Sequence, residues 1–182
     1  MCMVCYLSTD RDIADRPFDE NNRQFNVCKT DERPSCLSKR FVYYCGSRQS
    51  CGCGFGNLGI TEDILQRTEK ELLAGKLSKE TEMIWWDQFS PPPQSPDEFY
   101  KQASEIRDSN KDTLALYQLI RETWETGYLC EVLIYWSGGD ENNPVDEIRE
   151  IDLGRELIAL DFAAHTGHIP VRLYRFPKNT NN

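Results

Sequence analysis

A stretch of the chain from residue 40 to residue 59, RFVYYCGSRQSCGCGFGNLG, constrains the fold more than any other part. It begins with a run of β-branched and aromatic residues, Phe41–Tyr44, which is typical of a buried strand. Five glycines and three cysteines then follow within fifteen residues, and glycine permits backbone conformations that other residues avoid. The stretch therefore predicts a strand over 39–45, a turn over 46–50 and a returning strand over 51–55, which together form a hairpin.

The whole chain has a formal net charge of −9. Its acidic residues are concentrated in the later part. Residues 1–60 carry eight Lys and Arg against seven Asp and Glu, whereas residues 61–182 carry thirteen against twenty-three. Because an acidic surface repels the phosphate backbone, the composition argues against direct binding of nucleic acid. Such a surface suits a basic protein partner, although a surplus of acidic residues also serves solubility alone.

The sequence gives no indication of membrane insertion or secretion. No apolar run approaches the roughly 18 residues that a membrane-spanning helix needs. The N-terminal MCMVCYLSTDRD lacks the basic and then apolar order of a secretory signal. We therefore expect a cytoplasmic protein without membrane contact, in which the eight cysteines are thiols or metal ligands and not disulfides.

The N-terminal part of the chain predicts strands. Residues 2–8 (CMVCYLS) indicate a first strand that is buried on both faces, because hardly any polar residue interrupts them. Residues 9–38 are polar and irregular, with a short extended piece over Phe25–Cys28. Thr61 is then expected to cap a helix that ends at Gly75.

An aromatic group follows this helix. Trp85, Trp86 and Phe89 lie directly before three prolines, Pro91–Pro93. The aromatic residues could form an exposed contact patch or belong to the core, and core is the favoured interpretation. The prolines mark a connector and a lobe boundary near residues 90–96.

The C-terminal part predicts helices and then strands. Ser95–Glu98 is a strong helix start, since a capping Ser is followed by Pro at the first position and by Glu three residues after the cap. We expect this helix to end near Asp108 and a second helix to run over about 112–126. Strands are predicted over 129–136, 147–153 and 169–176, and the last of them alternates cleanly and should be half-exposed.

These elements indicate an α+β fold with a mostly antiparallel sheet and about three helices clustered between groups of strands. A chain of 182 residues is long enough for one domain with a sizeable core. We therefore expect a single α+β domain over residues 1–182.

The Cys51-Gly52-Cys53-Gly54 sequence is the strongest candidate site. Its glycines let the backbone approach a metal and present amide N–H groups to sulfur, which lowers the thiol pKa. Two cysteines supply half of a tetrahedral zinc site. The candidates for the other ligands are Cys45, Cys5, Cys2, His165 and His168. Zinc binding is one hypothesis, and the alternatives are thiols that only pack in a tight hairpin and a pair that cycles through a disulfide.

Two further patterns do not indicate a site. Gly54–Gly59 matches G-x-G-x-x-G, but the preceding strand ends at Cys45 and the helix begins only after Gly59, so dinucleotide binding is not expected. His165 and His168 are not close in sequence to a Ser or Cys in a nucleophile motif, so a turn between strands is the preferred interpretation.

Three segments resemble those of a group of small bacterial proteins: the N-terminal CYLSTD, the FVYYCGS and CGCGF pair, and the later LIYWSGGDE. Members of the group are similar in a short N-terminal strand, a YVYY-G and CGCGF segment, and a strand that leads into a W-x-G-D-like turn. Because no activity is established for the group, the resemblance implies no catalytic residues.

The sequence as a whole predicts a small acidic protein that binds a protein partner and performs no reaction, as inhibitors and immunity proteins do. The acidic region 61–182 suits a basic partner. The alternative is a metal- or thiol-dependent protein centred on Cys51 and Cys53, with a zinc site or a redox pair.

Overall fold

The computed structural model describes residues 3–21, 23–56, 58–87, 91–136, 144–160 and 171–177. Six strands lie in these ranges: β1 Met3–Thr9, β2 Asn26–Lys29, β3 Phe41–Gly46, β4 Cys130–Trp136, β5 Glu147–Glu150 and β6 Arg172–Phe176. Three α-helices accompany them: α1 Glu62–Leu73, α2 Lys79–Asp87 and α3 Pro96–Glu125. The strands form one sheet in the order β2-β3-β1-β4-β6-β5. In the described part of the chain the β5–β6 pair is parallel and the other pairs are antiparallel, so the predicted α+β class is confirmed.

Strands β1 and β4 form the middle of the sheet. They pair over seven residues, from Met3 opposite Trp136 to Thr9 opposite Cys130. Successive residues of β1 point to opposite faces, and Cys5 and Tyr6 belong to two different buried clusters. The prediction of a first strand buried on both faces is therefore confirmed, because the apolar run of β1 has a packed layer on each side.

Helix α3 covers one face of the sheet. Leu116 and Ile120 of α3 are fully buried and pack with Leu7 and Val132 of the central strands. Full burial of such a side chain contributes about 1.5–3 kcal/mol. On the other face Leu37, from the segment before β3, joins Tyr6, Leu133 and Leu173 in a smaller cluster.

Helices α1 and α2 pack against the first half of α3. Trp85 of α2 is fully buried together with Leu65, Phe99 and Ala103, and its indole Nε1 donates a hydrogen bond of 3.0 Å to Thr68 Oγ1. A buried indole N–H needs such an acceptor. This contact fixes the rotation of α2, because it joins the largest buried side chain of the helix to α1.

Helix α3 is continuous over 30 residues, so the prediction of two helices with a break after Asp108 was wrong. The start was right, since Ser95 Oγ accepts a hydrogen bond of 3.2 Å from the Glu98 amide. Asp108, Asn110 and Asp112 lie where the break was predicted, and their side chains bind the loop before α1. The helix backbone is regular through them.

Two strand predictions were also wrong. Residues 51–55 do not return as a strand, because Gly52–Gly54 form a short 3-10 turn in which the Phe55 amide donates to Gly52 O. Strand β6 is mostly buried and not half-exposed. The side chain of Arg172 in β6 is buried and its Nε lies 3.3 Å from Glu147 Oε2, so an alternating charge in this strand is a paired group and does not mark a solvent-facing side.

Candidate functional site

The glycine- and cysteine-rich loop over residues 46–60 is held against the middle of α3 by an arginine. Three groups of Arg48 donate to the Asp112 carboxylate: the backbone N–H at 2.8 Å, Nε at 3.0 Å and Nη2 at 3.1 Å. Asp108, one turn earlier, lies 2.8 Å from Nη1. The Asp112 side chain is only 3% exposed, so solvent screens this ion pair weakly, and its hydrogen bonds raise the pKa of Arg48.

A second set of contacts holds the end of the same loop. The Gly56 amide donates to Thr113 Oγ1 at 2.8 Å, and Asn110 Nδ2 donates to the Ile60 carbonyl at 3.1 Å. The backbone comes so close to α3 that a Cβ on Gly56 would lie 2.6 Å from Ser109 Oγ. A Cβ at position 56 would therefore force the Ser109 hydroxyl to move.

The loop also reaches the beginning of β1. Cys53 Sγ accepts a hydrogen bond of 3.0 Å from the Met3 amide, and a Cβ on Gly52 would lie 2.9 Å from Met3 O. The Cys51 carbonyl accepts from both the amide and the hydroxyl of Ser47, each at 2.9 Å. Both cysteines of the C-x-C pair are half-buried, and the main chain that carries them is fixed.

Cys5 and Cys45 lie together in the core. The β1–β3 register runs from Thr9 opposite Phe41 to Tyr6 opposite Tyr44, and one further step in this register brings Cys5 opposite Cys45. Both thiols are fully buried. The contact with Cys5 and the burial raise the pKa of Cys45 well above its ordinary value, which keeps this thiol protonated.

The predicted zinc ligands therefore fall into two groups. Cys5 and Cys45 form one buried pair, and Cys51 and Cys53 lie in the loop, where Cys53 binds the first described residue of β1. Among the residues that the structure describes, no three His, Cys, Asp or Glu side chains form a cluster that could hold a metal ion. His165, His168 and Cys2 lie outside the described residues, and the zinc hypothesis stays a prediction.

A polar pocket of about 220 Å³ lies beside the docked loop. Arg48, Gln49 and Gly54 of the loop contribute to its lining, together with Asp108 and Ser109 of α3. The Arg48 guanidinium is already bound by two carboxylates, so its charge is neutralised within the chain.

A buried carboxylate in the sheet was missed by the sequence reasoning. Glu131 of β4 accepts hydrogen bonds from Ser8 Oγ at 3.1 Å, from the Ser38 amide at 2.7 Å and from Ser38 Oγ at 3.0 Å. Arg175 Nε of β6 lies 3.3 Å from the same carboxylate. These contacts join the segment before β3 to the sheet. The signal in the sequence is a single acidic residue in the apolar run Cys130–Trp136, since a buried charge needs partners.

The two adjacent tryptophans of α2 have different environments. Trp85 is in the core, as predicted, but Trp86 is 60% exposed and Met83, three residues earlier, is 62% exposed. Both exposed residues lie on one face of the helix, because side chains three residues apart are neighbours. Phe89 lies outside the described residues. The prediction that this aromatic group is core was thus wrong for Trp86.

Comparison with protein-family models, with curated proteins and with solved structures found no match. Within the described residues no helix has the length and apolar character needed to cross a membrane.

Proposed function

We propose that the protein acts by binding another protein, in the manner of an inhibitor or immunity protein, through the outward face of α2. The observation that carries the proposal is the pair Met83 and Trp86, which leave large apolar side chains exposed on a helix that Trp85 anchors in the core. Tryptophan and methionine are enriched in protein interfaces, and tryptophan is frequent among the residues that dominate binding energy.

The anchoring of α2 makes this face a rigid one. Trp85 Nε1 is bound to Thr68, and the start of α2 is tied to α1, since Arg67 donates to Glu80 at 2.8 Å and Glu71 accepts from the Ser78 amide at 2.7 Å. Because the face is already held in place, α2 loses little conformational entropy when a partner binds.

The charges around Met83 and Trp86 favour a basic partner. Helix α2 itself carries three Asp and Glu against one Lys. Glu82 and Asp87 adjoin the two apolar residues in sequence, and neither carboxylate forms an ion pair or hydrogen bond with the described part of the chain. Lysine or arginine of a partner would meet these carboxylates at the rim and the face of the Trp86 indole.

Quantitative affinity capture from cell extract tests this proposal when wild type is compared with two variants. Trp86→Ser removes the exposed indole, and Ile148→Ser is the matched control because Ile148 is a similarly exposed apolar residue of β5. We expect one protein that is retained by wild type and by Ile148→Ser and lost with Trp86→Ser. Equal retention by all three chains, or loss with Ile148→Ser alone, would contradict the proposal.

A thiol- or zinc-dependent function of the loop is the second candidate, and the hydrogen bond from the Met3 amide to Cys53 Sγ supports it, since metal ligands are oriented by hydrogen bonds from surrounding groups. Elemental analysis of protein purified without added metal is the test. We expect about one zinc per chain in wild type and none in the Cys51→Ser, Cys53→Ser double variant. Less than about a tenth of a zinc per chain in wild type would exclude the zinc form of this proposal.

A further inference from the structure

An apolar groove of about 450 Å³ runs along the outer surface of α3. Four of its lining residues have the spacing of one helix face: Leu114, Tyr117, Gln118 and Arg121. The others are Leu58 from the loop before α1 and Leu157 and Ile158 from the segment after β5. Its volume and its mostly apolar lining fall within the range of small-molecule sites, about 300–1,000 Å³.

Both segments that flank α3 at this groove are tied to the helix. Leu58 lies between Gly56, bound to Thr113, and Ile60, bound to Asn110. Its φ of 56° lies in the left-handed region, which leucine rarely adopts. On the other segment, the Leu160 amide donates a hydrogen bond of 2.9 Å to Tyr117 Oη. The groove is therefore formed in the chain itself and needs no ligand to shape it.

The groove combines exposed apolar side chains with one cation. Leu114 is 54% and Leu157 84% exposed. Arg121 is half-buried at the groove, and its guanidinium makes no ion pair or hydrogen bond with any residue that the structure describes. A guanidinium is always charged and binds carboxylates through two parallel hydrogen bonds. The ligand that complements this groove therefore carries an anionic group next to an apolar body.

We propose that this groove binds a small monocarboxylate with an aliphatic or aromatic body. Leu58, Leu114, Leu157 and Ile158 contact the apolar body, and Arg121 binds the carboxylate. The groove shares none of its lining residues with the exposed face of α2, so this site stands independently of the proposed protein-binding function.

Isothermal titration with decanoate, below its micellar concentration, tests the proposal, and 1-decanol serves as the uncharged probe. Arg121→Gln keeps a polar side chain and removes the charge. Lys111→Gln is the matched control, because Lys111 is an exposed cation of α3 outside the groove. Leu114→Ser tests the apolar part, and its exposure makes the variant compatible with folding.

Saturable binding of decanoate by wild type and Lys111→Gln is the expected result. Arg121→Gln should weaken decanoate about tenfold and leave decanol unchanged, since one charge-assisted contact is lost, whereas Leu114→Ser should weaken both probes. No saturable binding by wild type, or equal decanoate affinity in Arg121→Gln, would overturn the proposal. The proposal would also be overturned if a peptide with a leucine beside a carboxylate bound and decanoate did not, because the groove would then be a protein-docking site.

Discussion

Replacing Asp112 with alanine should release the loop over residues 46–60 from α3. Asp112 is 3% exposed and accepts three hydrogen bonds from Arg48. Removing one partner of a fully buried ion pair costs about 3–5 kcal/mol. The Arg48 side chain is 25% exposed and keeps its contact with Asp108 at 2.8 Å, so part of its charge is resolvated or still paired. We therefore expect a loss of about 2–3 kcal/mol in the free energy of unfolding.

Urea unfolding followed by circular dichroism measures this loss directly, and thermal unfolding should show a decrease of about 5–10 °C in Tm for a chain of this size. Asp108→Ala is the graded control, because its carboxylate binds the same guanidinium but is 37% exposed. We expect about 0.5–1 kcal/mol for that variant. A double-mutant cycle with Arg48→Ala should give a coupling energy of about 1–3 kcal/mol. The reasoning is refuted if Asp112→Ala costs no more than Asp108→Ala.

Three further results are expected. Burial raises the pKa of Cys130 to about 12. Alkylation at mildly alkaline pH, followed by peptide mapping, should therefore label the buried Cys130, Cys5 and Cys45 far more slowly than the half-buried Cys28. Equal labelling rates would show that the core opens. A hydrogen bond from the Ser78 amide is the main cause that lowers the pKa of Glu71 from 4.5 to about 2. A carboxyl whose pKa is lower in the folded than in the unfolded state stabilises the fold at pH values above its unfolded pKa. This stabilisation is lost as the pH falls through the folded-state pKa. The stability difference between wild type and Glu71→Gln should therefore be largest at neutral pH and shrink between about pH 4.5 and pH 2, and a pH-independent difference in urea titrations would contradict this cause. Gly52→Ala should destabilise the chain by about 1–3 kcal/mol, because the new Cβ would lie 2.9 Å from Met3 O, and an unchanged urea midpoint would show that the loop moves away from β1.

Local signals in the sequence were sufficient where one short pattern decides the structure. The uninterrupted apolar run of residues 2–8 predicted the central strand β1. Ser95 capped α3 as expected, and Gly75, with a φ of 95°, follows α1 as the left-handed residue that ends a helix.

Long-range contacts decided the features that the sequence did not reveal. The break predicted within α3 falls at a polar stretch against which a loop docks. Asp112 in this stretch binds Arg48, which lies 64 residues earlier in the chain. Residues 51–55 were predicted as the returning strand of a hairpin, whereas Gly52 lies so close to Met3 of β1 that the chain forms a tight turn there.

The candidate binding face was only partly accessible from the sequence. Adjacent residues of a helix point about 100° apart, so Trp85 and Trp86 cannot both face the core. Trp85 is the buried one, and its indole donates to the Thr68 hydroxyl of α1, a contact between helices that the sequence does not reveal.

Hydrogen exchange of the protein with and without its captured partner tests the central claim most directly. We expect the partner to slow amide exchange over α2, Lys79–Asp87, in the wild-type protein. The same partner should not slow exchange over α2 in Trp86→Ser. Protection confined to the sheet, for example over β5, with α2 unchanged by the partner, would contradict a binding face built on Met83 and Trp86.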